Sequence, residues 1–437
     1  MISRLIDRAC HPAVAYPNLG YIQQGMRFFM TALKGKQATK NIVYGIRLML
    51  MLAITICLTP LAAILYLFGF RFVSIDLSQV GSIVYLDLIL RDAILNGRSN
   101  PNHFFVARSI FTDANPVAID LYINKVTFIS SPLMKLLTAP FFMNRIFQEN
   151  SFRFDTANTF EDFSTTQKVF AHQVQKKFRE KFGTPLVSMS AGPHQEARKL
   201  MQETILKEKK FIAVHVRDSG FYKDNKKTTR NGDISNYEEV FKYLIAQGYM
   251  VVRMGDPGMV PIDSMVKRCG PNLFDYAHSN LRSPILDCLL ISDCDFYIGL
   301  ASGIWSLAIV FEKPTILVNF YSAATGLGYG ASDLTTFKTL RYCSDKSLVP
   351  FEKLFMPPFC FNPPTRVLES SGVYLEDTTS EDILDTIKEF LSRQDFGESE
   401  VQAISRGFIK KQNFAWGGAG SYSHVILKKY FPQHFEN

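Results

Sequence analysis

The chain has 437 residues, of which 47% are hydrophobic and 20% are charged, a composition that excludes a disordered protein and allows two ordinary domains. Its formal charge of +8 would suggest a nucleic acid partner, but residues 1–47 hold seven basic residues against one acidic residue, and the rest of the chain is close to neutral. The positive charge therefore belongs to the N-terminus and favours a membrane partner, with no nucleic acid.

Residues 1–70 are predicted to form a basic N-terminus followed by a membrane segment at 48–70. Leu48–Phe70 contains no charged residue and is long enough to cross a hydrocarbon core of roughly 30 Å. Pro60 divides the run, so a bent hairpin dipping into one leaflet is preferred over a single span, with a buried core helix as a third interpretation. The sequence has no Asn-X-Ser/Thr acceptor, which disfavours a secretory lumen. We therefore expect a protein anchored on the cytoplasmic face of a bacterial inner membrane.

Residues 71–200 are predicted to form a first α/β domain. Short apolar runs indicate strands and are separated by stretches of helical character. The predicted strands are 71–77, 103–108 and 125–130, and the predicted helices are 83–95, 161–182 and 195–210.

Residues 201–395 are predicted to form a second domain, a doubly wound α/β sheet. Each predicted strand is a continuous apolar run, as expected for strands covered on both faces. Helix starts are marked by Ser235 with Glu238 three residues later, by Ser283 before a proline, and by Ser302. The predicted strands are 211–216, 249–254, 272–276, 296–300 and 315–320; a glycine-rich loop follows at 321–332, a helix at 379–393, and a C-terminal helical segment at 396–437 that packs back.

Polar residues collect where these strands end, which is where an open parallel sheet binds its ligand. His215, Arg217 and Asp218 follow the first strand, and Arg253 and Gly255 end the second. The two arginines suit a phosphate-bearing ligand. Two structural alternatives stay open: Arg217 and Asp218 pair with each other or with Asp256, and Arg253 pairs with a structural carboxylate.

The segment at 299–303, GLASG, is the best phosphate candidate, because small residues at Ala301, Ser302 and Gly303 let backbone N–H groups approach an anion at a helix start. An ordinary tight turn is the alternative. No nucleotide-triphosphate loop or GxGxxG motif occurs, which disfavours ATP hydrolysis and NAD chemistry. Further candidates near the cleft are Tyr222, Arg230, Asn231, Asp275, Tyr276 and Ser279. No residue spacing predicts a metal site.

Five segments taken in order resemble a family of bacterial glycosyltransferases with the two-Rossmann GT-B architecture, over about residues 71–430. They are HVRDSGFY at 215–222, RNGDISNY at 230–237, GYMVVRMGD at 248–256, FDYAHS at 274–279 and FYIGLASGIWSLA at 296–308. The chain is more distantly similar to fucosyltransferases with an HxRxxD-type strand end, a likeness that implies a donor-diphosphate contact for Arg217. The second arginine of that pattern is Asp218 here, so neither fucose nor a GDP donor is implied.

The resemblance implies two Rossmann-like domains facing a cleft, with the acceptor on the first and a nucleotide-diphosphate sugar on the second. The donor would be held by Arg217, Arg253 and the helix start at Ser302, without a metal or cofactor. His215 and Asp218 are candidates for the general base by position alone. Together with the membrane segment, this predicts transfer to a lipid-linked or polysaccharide acceptor such as a lipopolysaccharide or capsule precursor. The alternatives are an inactive membrane-tethered binding protein and a nucleotide-sugar epimerase.

Overall fold

The chain forms two compact units in a computed structural model, residues 1–153 and residues 154–437. The structure describes residues 38–73, 77–98, 104–108, 114–131, 173–189, 194–218, 229–321, 328–356, 365–393 and 420–434, with a few single positions between them. The predicted domain boundaries at residues 70, 200 and 395 stay predictions.

Unit 1 contains a three-stranded parallel sheet in the order β1-β2-β3. The three predicted strands are confirmed in shortened form, and the predicted helix at 83–95 is confirmed with the same bounds. The elements are α1 (Ala38–Leu67), β1 (Arg71–Val73), α2 (Ile83–Leu95), β2 (Phe104–Ala107), α3 (Pro116–Asp120) and β3 (Thr127–Ile129).

A buried ion pair lies within α2, and a tyrosine from a later segment of unit 1 binds to it. The Arg91 Nε atom donates to Asp87 Oδ2 at 2.6 Å, and both side chains are fully buried. The Tyr122 hydroxyl donates to the other Asp87 oxygen at 3.0 Å. Such a network satisfies the carboxylate that burial would otherwise destabilise.

Helix α1 is continuous through the site of the predicted hairpin. Pro60 lies inside the helix, and the Thr59 hydroxyl donates to the Thr55 carbonyl at 2.6 Å one turn earlier. The predicted bend at Pro60 is therefore wrong, because the proline removes one backbone hydrogen bond and the rest of a long helix retains its own. In the part of the chain that the structure describes, no helix is both long and apolar enough to cross a membrane.

Unit 2 is built on a seven-stranded sheet in the order β12-β9-β8-β7-β4-β5-β6, and every neighbouring pair is parallel. The five strands predicted for this unit are confirmed. The sheet strands are β4 (Phe211–His215), β5 (Met250–Arg253), β6 (Leu273–Asp275), β7 (Tyr297–Gly299), β8 (Thr315–Phe320), β9 (Leu334–Phe337) and β12 (Ser421–Tyr422). An antiparallel pair, β10 (Thr339–Tyr342) and β11 (Val373–Glu376), lies outside this sheet.

The strand order makes unit 2 doubly wound. From β4 the chain moves outward through β5 and β6, then returns across β4 to continue with β7, β8 and β9 on the other side. Since such crossovers are right-handed, the two halves place their helices on opposite faces of the sheet. Within the described residues, the unit 2 helices include α4 (Gln195–Met201), α5 (Glu238–Ala246), α6 (Asp263–Cys269), α7 (Pro284–Asp293), α8 (Gly303–Val310), α9 (Phe351–Leu354), α10 (Thr365–Ser370), α11 (Ser380–Ser392) and α12 (His424–Tyr430), and residues 173–182 are also helical.

The predicted N-terminal cap of α7 forms, whereas the one predicted for α5 does not. Ser283 caps α7 as predicted, because its hydroxyl accepts the Leu286 N–H at 3.3 Å. The capping box predicted at Ser235 is not formed: the Asp233 carboxylate accepts the Ser235 N–H at 2.8 Å and starts a 3₁₀ turn, so that α5 begins only at Glu238. A carboxylate two residues upstream thus displaces the serine as the capping group.

Residues 420–434 of the C-terminal segment pack on unit 2; the predicted packing of 396–437 back across the domains stays a prediction. Strand β12 extends the sheet beside β9. The Glu389 carboxylate of α11 accepts the Ser423 hydroxyl at 2.6 Å and the His424 N–H at 3.0 Å, which places a negative charge at the start of α12. The segments 161–172, 322–327 and 396–419 lie outside the described residues.

Candidate functional site

The predicted site residues meet at the topological switch point of the unit 2 sheet. Strands β4 and β7 are neighbours, yet the chain leaves them in opposite directions. His215, the last residue of β4, lies in register with Gly299, the last residue of β7. In an open α/β sheet, ligands bind in the crevice outside the carboxyl ends of such strands. The fold therefore brings the HVRD and GLASG segments together at its expected binding position.

Two guanidinium groups and an imidazole are buried at the end of β4. Arg217 is 6% exposed and Arg253, from the neighbouring strand β5, is fully buried. Burial, followed by the positive charges of Arg253 and Arg217, lowers the pKa of His215 from 6.5 to about 3. His215 is therefore neutral at physiological pH, and its buried Nδ1 atom has no hydrogen-bond partner among the described residues. A neutral imidazole beside two cations can hydrogen-bond an oxygen anion.

Arg253 forms an ion pair with a carboxylate of the fold, which is the structural alternative to binding a ligand anion. Its Nη1 atom donates to Asp275 Oδ1 at 3.0 Å, and its Nη2 atom donates to the Val260 carbonyl at 2.9 Å. His278 Nδ1 lies 2.9 Å from the second Asp275 oxygen. Parallel register places Arg253 opposite Asp275 on adjacent strands, which explains the pairing. Its Nε atom is buried without a partner among the described residues, so one donor of this group remains available.

Asp218 joins two loops at the rim of the crevice. Its Oδ1 atom accepts the Gly220 N–H at 2.9 Å, and its Oδ2 atom accepts the Val260 N–H at 2.7 Å. Gly220 and Gly258 also pack closely, because a Cβ built on Gly220 would lie 2.0 Å from the Gly258 carbonyl oxygen. The carboxylate thus connects the loop after β4 to the loop after β5, a positioning role alongside the catalytic one predicted for it.

The GLASG segment forms the turn from β7 into α8. A Cβ on Gly299 would lie 2.3 Å from the Tyr297 hydroxyl, so only glycine fits there. Ser302 occupies the position before α8 in extended conformation, but its hydroxyl makes no capping bond and lies 3.5 Å from the Tyr297 hydroxyl instead. Ala301 and Gly303 flank it and are partly exposed. The predicted serine cap is therefore absent, and the start of α8 is left open toward the crevice, as an anion site requires.

Two other predicted residues have structural roles. The Tyr276 hydroxyl donates to Asp287 at 2.9 Å and accepts the Ser283 N–H at 3.0 Å, so it fixes the start of α7. The Ser279 hydroxyl donates to the Tyr276 carbonyl at 3.1 Å. Both contacts hold the turn after β6.

The remaining predicted residues lie around the loops. Arg230 is exposed, and Gly255 packs so tightly that a Cβ would lie 2.5 Å from Met259 Sδ. Tyr222 lies outside the described residues. Within the described ranges, no group of three His, Cys, Asp or Glu side chains could hold a metal ion.

The sequence did not single out a polar cluster at the ends of β8 and β9. Asn319 adopts a left-handed backbone, with φ of 54°, and its side chain accepts the Thr378 N–H at 2.6 Å. Lys338 is buried, and its Nζ atom donates to the Asn231 carbonyl at 2.5 Å and to Asp377 at 2.6 Å. Asn231 therefore contributes its backbone to this cluster. The one sequence signal was an asparagine inside the apolar run at 315–320.

This cluster is linked to the crevice through one loop. Gly232 follows Asn231 and donates its N–H to the Arg217 carbonyl at 2.9 Å. A Cβ on Gly232 would lie 3.1 Å from Asn319 Nδ2 and 3.2 Å from Leu300. The loop before α5 therefore lies over the ends of β4, β7 and β8 and closes one side of the crevice.

No protein-family model matches the chain, and no curated protein matches it. Among solved structures, the chain is similar to the structure of E. coli ADP-heptose LPS heptosyltransferase II, with 13% identity, coverage of 57% of this chain and 84% of that chain, and a TM-score of 0.33. The name is that of a glycosyltransferase, the class that the sequence resemblance implies. The likeness to fucosyltransferases stays a prediction.

Proposed function

We propose that the protein is a glycosyltransferase that binds a nucleotide-diphosphate sugar at the carboxyl edge of unit 2. The observation that carries the proposal is the meeting of His215 with Gly299 at the switch point, with the guanidinium groups of Arg217 and Arg253 buried beside them. Buried cations and an open helix start at this position suit a diphosphate. Among proteins that bind a diphosphate, the five ordered sequence segments around these residues favour an enzyme that transfers a sugar.

Arg217 has the central role in this proposal. As the bond between the anomeric carbon and the diphosphate oxygen breaks, the electron pair leaves with the diphosphate, and a fixed guanidinium stabilises the growing negative charge. The acceptor hydroxyl oxygen forms the new bond and loses its proton. The start of α8 stabilises the same leaving group. Positive protein groups thus supply the charge stabilisation, and transfer without a metal is part of the proposal.

His215 and Asp218 contribute to binding more directly than to proton transfer. A pKa of about 3 makes His215 a weak proton acceptor near neutral pH, so we assign it a hydrogen bond to a donor oxygen. Asp218 holds the Gly220 and Val260 N–H groups, and we assign it the positioning of the loops that border the donor. The general base is assigned to neither residue.

The acceptor in this proposal is a membrane-linked glycan, and the enzyme works at the cytoplasmic face of the membrane. What supports this part is the exposed apolar surface of α1 in unit 1, where large side chains such as Met49, Ile56 and Phe68 are exposed. A lipid-linked acceptor would be presented at the same surface. A lipopolysaccharide or capsule precursor fits that description.

A thermal-shift screen of the full chain against UDP, GDP, dTDP and CMP tests the donor site. A ligand at 100 times its Kd stabilises the fold by about 2.7 kcal/mol. We expect one nucleoside diphosphate to raise the Tm of the wild type, and this shift to be lost in Arg217→Gln. The control is Arg268→Gln, since Arg268 is exposed, pairs with Glu238, and lies in the last turn of α6, before the amino end of β6.

Two outcomes would contradict the proposed donor site. The first is the absence of a shift with every nucleotide in a folded wild type, and the second is an equal shift in Arg217→Gln. Because Arg217 is buried, Arg217→Lys is measured beside it. Lysine keeps the charge and loses the bidentate fork, so we expect a reduced but measurable shift, and circular dichroism shows whether each variant is folded.

A further inference from the structure

Helix α1 carries large apolar side chains on its solvent-exposed side, where a helix of a water-soluble protein usually carries polar residues. Every exposed position between residues 49 and 68 is apolar. The large ones include Met49, Leu50, Ile56, Leu61, Ile64 and Phe68. Single exposed apolar residues are common, but a continuous exposed set marks a surface that another apolar phase covers. The set extends about 30 Å along the helix.

The opposite side of α1 faces the protein with a mixture of small, polar and apolar side chains, and Leu65 is one of the apolar ones. Thr55 and Ala62 are buried, and Thr59 and Tyr66 are partly buried. Ala62 packs in a cluster with Phe72 of β1 and Ile129 of β3. One side of the helix therefore packs on the unit 1 sheet, and the exposed apolar side points away from it.

The junction between α1 and β1 is fixed by several contacts. The Arg71 guanidinium lies 4.0 Å from the centre of the Tyr66 ring and donates to the Tyr66 and Phe70 carbonyls at 2.9 and 3.0 Å. Phe70 and Phe72 both stack on Phe105 of β2. The orientation of α1 is thus set by unit 1, and its apolar side is held outward.

We infer that α1 is a membrane-interface helix: its sheet-facing side stays on unit 1 while its apolar side, from Met49 to Phe68, inserts into the outer part of a lipid leaflet. A helix with one side on a protein sheet cannot be surrounded by lipid, which distinguishes this arrangement from a span and from a hairpin. Interfacial helices bury one apolar side about 5–10 Å deep.

Charge selects an anionic lipid surface as the occupant. Residues 1–47, which lead into the apolar side of α1, carry seven basic residues and one acidic residue, and Arg71 follows its C-terminal end. Basic residues beside an interfacial helix are attracted to anionic headgroups. A second copy of this chain carries the same excess of positive charge, so the charge favours an anionic lipid surface over a second copy.

Vesicle co-sedimentation of the full chain tests the inference without any nucleotide or acceptor, so it can fail independently of the proposed function. The probes are vesicles of phosphatidylcholine alone and of phosphatidylcholine with phosphatidylglycerol. We expect binding to the anionic vesicles, weakened by salt, and a loss of about 10- to 100-fold in Ile56→Asp, because burial of an isoleucine side chain is lost. Ile56 is 64% exposed, so this variant leaves the fold intact.

Ile123→Asp is the matched control. Ile123 lies in the same unit, is also an isoleucine, and is 60% exposed, but it belongs to the turn between α3 and β3 instead of to α1. We expect its vesicle binding to equal that of the wild type. Equal losses in both variants, or none in Ile56→Asp, would overturn the inference.

Two further readouts separate the other possible occupants. The wild type already holds two tryptophans, so the emission of Ile64→Trp is read as the difference from the wild type; this difference should shift to the blue with anionic vesicles and be quenched by lipids brominated near the headgroup. Quenching only by lipids brominated at the bilayer centre would instead indicate a span and overturn the inference. Sedimentation velocity without lipid covers self-association: a dimer that Ile56→Asp dissociates, with no vesicle binding, would assign the surface to a second copy.

Discussion

Asp275→Asn tests the electrostatic account of the crevice through stability. Arg253 is fully buried, and its Nη1 atom lies within 3.2 Å of both Asp275 oxygens. The substitution keeps the shape of the side chain and one acceptor oxygen but removes the negative charge. The Val260 carbonyl then remains as a neutral acceptor for the guanidinium, so a buried positive charge stands without a compensating charge.

The expected cost follows from that burial. Breaking a buried ion pair by removing one partner costs about 3–5 kcal/mol, and the retained acceptor oxygen favours the lower end, about 3 kcal/mol. A domain of this size loses roughly 2–4 °C in Tm per kcal/mol. We therefore expect the Tm of Asp275→Asn to fall on the order of 10 °C, measured by differential scanning fluorimetry and checked by urea unfolding.

Glu238→Gln is the matched control, since it removes a carboxylate from another arginine. Glu238 pairs with Arg268 at 2.6 Å, but Arg268 is exposed, and exposed pairs contribute little. We expect little change in Tm. The double variant Arg253→Met with Asp275→Asn should recover part of the loss, because it removes the unpaired charge. Equal Tm values for Asp275→Asn and Glu238→Gln would refute the reasoning.

Three further predictions concern pH and packing. The pKa of His215 is lowered to about 3 in the fold, so the unfolded chain binds one more proton than the native chain between pH 6.5 and pH 3. The free energy of unfolding should therefore fall by about 1.4 kcal/mol for each pH unit below 6.5. Urea unfolding at pH 6.5 and pH 5 should show this fall in the wild type and not in His215→Asn. Burial raises the pKa of Asp333 to about 7, so the native state binds one more proton than the unfolded state between pH 3.8 and pH 7. The free energy of unfolding of the wild type should therefore fall, relative to that of Asp333→Asn, as the pH rises through this range. Parallel plots of unfolding free energy against pH for the two proteins would contradict this. Gly299→Ala should lower both the Tm and the rise in Tm that the nucleotide produces, because the new Cβ atom would meet the Tyr297 hydroxyl. Gly192→Ala should change neither quantity, because open space surrounds Gly192.

The sheet of unit 2 was largely predictable because its strands are buried on both faces. Continuous apolar runs such as the one at 315–320 have no other ready interpretation when glycine or proline flanks them. Strands β9 and β12 were not predicted. Leu334–Phe337 contains two threonines and is short, and Ser421–Tyr422 pairs in the sheet for only two residues, so neither has the length or pattern of a strand on its own.

The candidate site could be predicted only where a residue's position in the sequence determines its position in the fold. Ends of parallel strands lie on one edge of a sheet, so Arg217 and Gly299 could be placed together. The partner of Arg253 depends on the register between β5 and β6, which the sequence does not state, and Asp275 could equally have faced a ligand. Lys338 was not predicted as a site residue because β9, which it follows, was not predicted, and Asn319 because it lies inside an apolar run.

Sugar transfer is the most direct test of the proposed function. The full chain is incubated with labelled nucleotide-diphosphate sugars, with and without a bacterial glycolipid extract in detergent, and label in the lipid phase is followed with the released nucleotide. We expect transfer from one donor by the wild type and Arg268→Gln, and about 10²–10³-fold slower transfer by Arg217→Gln, since one charge-stabilising donor is lost. Nucleotide binding without release would contradict the account in favour of a binding protein, and isomerised sugar without an acceptor would contradict it in favour of an epimerase.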